Sequence, residues 1–179
     1  MRKLSMDELG RKSVTEFRSA AKTPVVIVLD NIRSMHNVGS VFRTADAFLM
    51  EAIILCGYTP QPPHRDIQKT ALGATDTVDW FTAATAVEAV IALKTKGYKV
   101  YGVEQTDNSI SLEAFDFNAA DKMAIVLGNE VDGVNSDVLQ IVDATIEIPQ
   151  YGMKHSLNIS VAAGIVMWEV MRLRHNIHQ

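Results

Sequence analysis

Two hydrophobic patterns alternate along the chain, and this alternation restricts the fold more than any other feature. Residues 24–29 (PVVIVL) form a continuous apolar, β-branched run, as a strand buried on both faces requires. Val38, Val41, Phe42, Ala45 and Phe48 then follow at helical spacing. The exchange recurs downstream. Residues 52–55, 98–103, 123–127 and 145–148 read as strands. Residues 83–96 read as a helix ended by Gly97, residues 136–142 as a short helix, and residues 158–174 as a long apolar helix with a basic end. Residues 1–22 read as a polar helix. Residues 57–66, carrying Pro60, Pro62 and Pro63, read as a loop. Strand alternating with helix predicts an α/β domain, a mostly parallel sheet with helices on both faces. Such sheets bind ligands beyond the carboxyl ends of their strands. The loops after Leu29, Val103, Leu127 and Ile148 are therefore where chemistry is expected.

Composition narrows the class. The chain has 179 residues, 47% of them hydrophobic, which suits one compact domain with a sizeable core. No apolar stretch reaches the roughly 18 residues needed to cross a bilayer. The first nine residues lack the apolar segment of a signal peptide, so a cytoplasmic location is expected. A single cysteine, Cys56, excludes an intrachain disulfide and a cysteine-based zinc cluster, and no metal is expected. Net charge is −4, but it is unevenly spread. Residues 1–22 hold six cations (Arg2, Lys3, Arg11, Lys12, Arg18, Lys22) against three acids. Residues 150–179 hold Lys154, Arg172 and Arg174 against Glu169 alone. Basic ends suit a phosphate backbone, and equally suit solvated helix faces.

Three blocks carry candidate chemistry. In residues 37–43 (NVGSVFR), Asn37 is placed to cap a helix and Gly39 permits close backbone approach. Arg43 could grip a phosphate or carboxylate with its guanidinium, or make a surface ion pair. In residues 127–133 (LGNEVDG), two glycines bracket Glu130 after a strand. Gly128 would let a flat ligand approach the backbone; a plain strand-to-helix turn capped by Ser136 would look similar. In residues 148–158 (IPQYGMKHSLN), Ser156 or Asn158 could cap the helix that follows. Capping does not account for the Pro, Gly and Lys-His before them, and His155 alone reads as structural. No G-x-G-x-x-G follows a strand and no Walker sequence occurs, so ordinary dinucleotide and Walker-type nucleotide sites are unsupported. Cys56 reads as core packing.

In this order and register, the three blocks resemble the three motifs of the SpoU/TrmH family of RNA 2′-O-ribose methyltransferases, within the SPOUT superfamily. The stretch TPQPP at 59–63 followed by KTALGA at 69–74 resembles the family too. The similarity runs from about Val25 to Arg172. Gln150 departs from it, standing where the family often has Met. The resemblance implies that the C-terminal segment is threaded into a deep trefoil knot, a feature no pattern argument would propose. It implies a homodimer with the catalytic site at the subunit interface. It also implies S-adenosyl-L-methionine as cofactor, held by Val103, Glu104, Gln105, Leu127, Gly128, Gly133, Ile148, Gln150 and Leu157. Carried over by position, Asn37, Arg43, Glu130, Ser156 and Asn158 form the implied catalytic set, with Glu130 orienting Arg43.

The resulting expectation is methylation of a ribose 2′-hydroxyl in structured RNA. Transfer RNA is favoured over ribosomal RNA because residues 1–22 form only a helical extension to a methyltransferase domain at 23–179. Arg11, Lys12, Arg18, Arg65, Lys69 and Lys154 are the candidate RNA contacts. The alternative is an RNA-binding or ribosome-assembly protein that keeps the fold without catalysis.

Overall fold

The computed structural model describes residues 1–5, 7–118 and 121–176. After a short 3₁₀ turn at Asp7–Leu9, the first half runs α1 (Val14–Ser19), β1 (Thr23–Asp30), α2 (Met35–Ala47), β2 (Met50–Cys56), α3 (Arg65–Ala71) and β3 (Trp80–Ala83). The second half runs α4 (Ala86–Thr95), β4 (Lys99–Val103), β5 (Ile110–Ser111), β6 (Met123–Leu127), α5 (Ser136–Leu139), β7 (Ala144–Glu147) and α6 (Ile159–Asn176). The strands form one sheet in the order β3-β2-β1-β6-β4-β7-β5, and every pairing is parallel.

The continuous apolar runs are explained by this sheet. Side chains of a strand point alternately to its two faces, so a strand covered on both must be apolar throughout. From β1, Ile27 and Leu29 enter a core with Val41 and Phe42 of α2 and Val166 and Met167 of α6. Val26 and Val28 point the other way, into a core with Val90 and Leu93 of α4 and Val138 of α5. Cys56 lies fully buried in that second core, where burial pushes its thiol pKa up to about 12. Its role is packing.

Several boundaries differ from expectation for identifiable reasons. Residues 1–22 are not one helix. Gly10 adopts a left-handed conformation (φ 56°) between the 3₁₀ turn and α1. Glycine is suited to that conformation and ends a helix there. α1 then starts afresh on Ser13, whose hydroxyl and Glu16 form a capping box. Its Phe17 is buried in the main core, so the extension is packed down. α3 begins at Arg65, inside the stretch expected as loop, with His64 as its cap. β3 and β5 were hidden because they are edge strands of four and two residues with exposed positions, lacking an apolar signature.

α2 and α3 approach closely at Gly39. A Cβ there would lie 2.1 Å from Thr70 Oγ1 and 2.3 Å from the Ile67 carbonyl oxygen. Because one of these is backbone, the helices would have to separate, and overpacking of this kind costs about 1–3 kcal/mol. Gly39→Ala is therefore expected to lower the thermal unfolding midpoint by roughly 2–12 °C, at 2–4 °C per kcal/mol for a chain of this size. Calorimetry checks this, and an unchanged midpoint would show that the contact is not tight.

Candidate active site

Parallel strands deliver their outgoing loops to one edge, and four of these loops meet there. Beyond the carboxyl ends of β4, β6 and β7 lies a cavity of about 490 Å³. Val103, Glu104 and Gln105 form the wall after β4, and Leu127, Gly128 and the turn to Gly133 the wall after β6. The segment from Ile146 to Asn158 supplies the rest, closed below by Ile159 and Ala162 of α6. The volume lies within the range of small-molecule sites. Four acids face it (Glu104, Glu130, Asp132, Glu147), and among the described residues no Lys or Arg lines it.

The wall after β6 is built on a side chain that sequence reasoning passed over. Asn129 is buried; its Oδ1 accepts from the Val131 and Asp132 amides at 2.7 and 3.3 Å. Its backbone exchanges two hydrogen bonds with Gly133. The turn is thus folded around Asn129, and Asn at the start of a tight turn was the available signal. Gly128 is required for a different reason than expected. The space its Cβ would occupy is filled by backbone of Gly133 and Val134, at 2.1 Å, rather than left for a ligand. Gly133 takes φ 70° and leaves room for the Glu104 carboxylate, which accepts from the Val134 amide at 2.9 Å.

Glu130 ties this turn to the loop after β1. Its carboxylate accepts from the amides of Arg33 (2.9 Å) and Ser34 (3.1 Å) and from Asn37 Nδ2 (2.9 Å). Asn37 Oδ1 in turn accepts from Asn158 Nδ2 at 3.2 Å. Asn158 holds the start of α6, its backbone oxygen accepting from Val161 and Ala162 and its Oδ1 from the Ser160 amide. One chain of hydrogen bonds thus joins loops from three strands to α2 and α6. Burial alone would push the Glu130 pKa up, but the bonds from Arg33, Asn37 and Ser34 outweigh it and hold the carboxylate below its ordinary range.

Several expected roles are revised here. Asn37 does not cap α2. Ser34 does, accepting from the Asn37 amide, and leaves the Asn37 side chain free for Glu130 and Asn158. The cap of α5 is Asn135 rather than Ser136. Glu130 does not orient Arg43, because its oxygens are taken by Arg33, Ser34 and Asn37. Arg43 lies exposed on α2 without a hydrogen bond or ion pair among the described residues. Of the five implied catalytic residues, Asn37, Glu130 and Asn158 are bonded together. Ser156 lines the cavity, and Arg43 stands apart from both. All nine residues expected around a cofactor line the cavity. The six candidate RNA contacts are exposed, but Arg18 donates to the Asp76 carbonyl at 2.7 Å and Lys69 pairs with Asp66 at 2.6 Å.

The SpoU rRNA Methylase family matches residues 24–168, a span holding the whole of this cavity. This chain belongs to that family. Among SpoU relatives, a 23S rRNA (guanosine-2′-O-)-methyltransferase of Neisseria meningitidis serogroup B is 33% identical over 154 residues. The match covers 86% of this chain but only 60% of that protein's length. The A. aeolicus TrmH/SpoU tRNA modifying enzyme superposes with a TM-score of 0.82 at 25% identity, over 92% of this chain and 82% of its own. An AdoMet-bound rRNA methyltransferase from Sinorhizobium meliloti gives 0.78 at 25% identity, over 87% and 59%. Among the described residues no helix is long and apolar enough to cross a membrane, and no group of acidic, His or Cys side chains could hold a metal.

Replacing Glu130 tests the bond chain. Because its folded-state pKa is depressed, its contribution is complete above the ordinary carboxylate value of about 4.3 and disappears as pH falls through the lower folded value. Glu130→Gln should lower the unfolding midpoint at pH 7 by a few degrees, for a loss of about 1 kcal/mol, since solvent screens this exposed carboxylate. The gap from wild type should close below about pH 4. A pH-independent gap would count against the charged hydrogen bonds as its cause.

Proposed function

We propose that this chain transfers the methyl group of S-adenosyl-L-methionine to a ribose 2′-hydroxyl of structured RNA. The observation that carries the reading is the joining of the cavity to α2. Glu130 and Asn158 line the cavity, and both are bonded to Asn37 on the helix that presents Arg43. The cavity suits the cofactor chemically. Leu127, Ile146, Ile148 and Leu157 offer apolar walls for a purine, and four carboxylates with no Lys or Arg favour a cationic ligand. Val103, Glu104, Gln105, Gly128, Gly133 and Gln150 complete its surroundings. When bound, the sulfonium supplies an already activated methyl. The protein's task is then to place the hydroxyl in line and support the charge it develops.

Arg43 suits that task as a permanent cation, orienting the hydroxyl or an adjacent phosphate; a guanidinium has no lone pair free to accept the proton and does not serve as a base. Asn37 and Asn158 hold the geometry through their shared bond, and Glu130 fixes the turn on which the cavity depends. Ser156, exposed at the rim, completes the set.

The remaining parts of the reading have their own support. Gln105 Nε2 donates to the His155 carbonyl at 3.2 Å, so the segment leading into α6 lies against the loop after β4, the proximity that a trefoil knot threaded there would need. Val161, Ile165 and Trp168 form an exposed apolar stripe along α6, with Trp168 58% exposed, which suits a homodimer interface. Residues 1–22 act as an N-terminal extension to a methyltransferase domain at 23–179. Its cations Arg11, Lys12 and Arg18, with Arg65, Lys69 and Lys154, face solvent and suit a phosphate backbone. Transfer RNA is the favoured substrate and ribosomal RNA the alternative.

Calorimetric titration with S-adenosylmethionine, followed by mapping of 2′-O-methyl groups in tRNA and rRNA by mass spectrometry with and without the protein, tests the whole. Arg43→Ala should reduce transfer by about 10²-fold or more, as loss of a charge-stabilising donor does, with cofactor affinity retained. Full activity in that variant would remove the role given to Arg43, and failure of the wild type to bind the cofactor would overturn the function.

A further inference from the structure

One exposed aromatic ring is anchored to the site but belongs to neither the core nor the cavity. Tyr58 follows β2 and is 61% exposed. Its amide donates to Asn31 Oδ1 at 3.2 Å. Its hydroxyl accepts from Asn129 Nδ2, which also donates to the Asn31 carbonyl at 2.7 Å. Both ends of the residue are therefore tied to the two loops that Glu130 joins. At the preceding Gly57, a Cβ would lie 2.0 Å from Asn31 Oδ1, so the backbone is pressed against that loop. A tyrosine needed only to satisfy Asn129 would normally bury its ring around the hydroxyl. Here the hydroxyl is bound while most of the residue stays exposed.

The neighbouring charges point the same way. Arg33 lies two residues after Asn31, on the loop that holds Tyr58. Arg65 opens α3 at the end of the loop that Tyr58 begins. Both guanidinium groups are exposed and make no ion pair or hydrogen bond among the described residues. An immobilised aromatic face with uncommitted cations on the adjoining loops is the composition of a surface that stacks unpaired bases and holds their phosphates.

We propose that the ring of Tyr58 is a stacking platform for an unpaired base of the RNA, with Arg33 and Arg65 holding flanking phosphates; this rests on the RNA-methylating function above. Fixing the ring before binding removes most of its rotamer cost, so contact with a base yields affinity at little expense in order. The hydroxyl bond to Asn129 sets the height of the platform relative to the cavity wall. The base is thereby held beside the turn that carries Glu130.

Ultraviolet cross-linking of the full chain to total cellular RNA, with the modified residue identified by mass spectrometry, tests this without knowing the substrate. Tyr58 is expected among the cross-linked residues. In filter binding to the same RNA, Tyr58→Ala and Tyr58→Leu should each weaken affinity about fivefold or more. Tyr58→Phe, which keeps the ring, should restore most of it. Leucine retains apolar bulk without a π-face, so equal binding by the Leu and Phe variants would overturn the stacking role. So would cross-links confined to other residues. A wild-type protein that binds S-adenosylmethionine and RNA but shows either of these results loses the platform alone. One that binds neither loses the methyl-transfer function as well.

Discussion

Three N–H groups converge on one carboxylate, and the site depends on that convergence. Glu130 receives the amides of Arg33 and Ser34 and the side chain of Asn37, joining the turn after β6 to the loop after β1 and to the first turn of α2. β1 and β6 are neighbours at the centre of the parallel sheet, so their outgoing loops emerge side by side. Backbone amides at the start of a helix lack intrahelical partners and are attracted to negative charge. A carboxylate from the neighbouring strand's loop meets that need. It does so without salt bridges, which leaves Arg33 and Arg43 uncommitted on the surface.

Much of the architecture was legible because burial on both faces writes itself into composition. β1 and β6 read directly from PVVIVL and MAIVL, and the long helix α6 from its apolar residues. The loops at the carboxyl ends followed from the parallel order alone. What stayed hidden was of two kinds. Short edge strands such as β3 and β5 bury too little to leave a pattern. Local polar geometry was the other. Ser34 rather than Asn37 caps α2, although both residue types suit a cap, because Asn37 is needed two ways across the site.

The glycines show the same division. That Gly39 and Gly128 matter could be read from the chain, but not what they touch. Gly39 admits α3 and Gly128 admits the backbone of its own turn. At both positions the space a side chain would need is filled by protein. The two glycines therefore shape the site by letting protein approach protein, and the cavity is the space left over. Spacing in a motif identifies a position at which bulk is forbidden; only the fold identifies the neighbour that forbids it.

The hydrogen bond from Asn158 to Asn37 spans 121 residues of sequence. During synthesis, loops from β1, β4 and β6 can gather while the chain is still growing, since their strands pair with one another. The last member of the network arrives only with the start of α6. Closing so long a loop is entropically costly and tends to come late in folding. Because Asn158 follows all seven strands of the sheet in the chain, the network can close only after every strand beneath the site has been made.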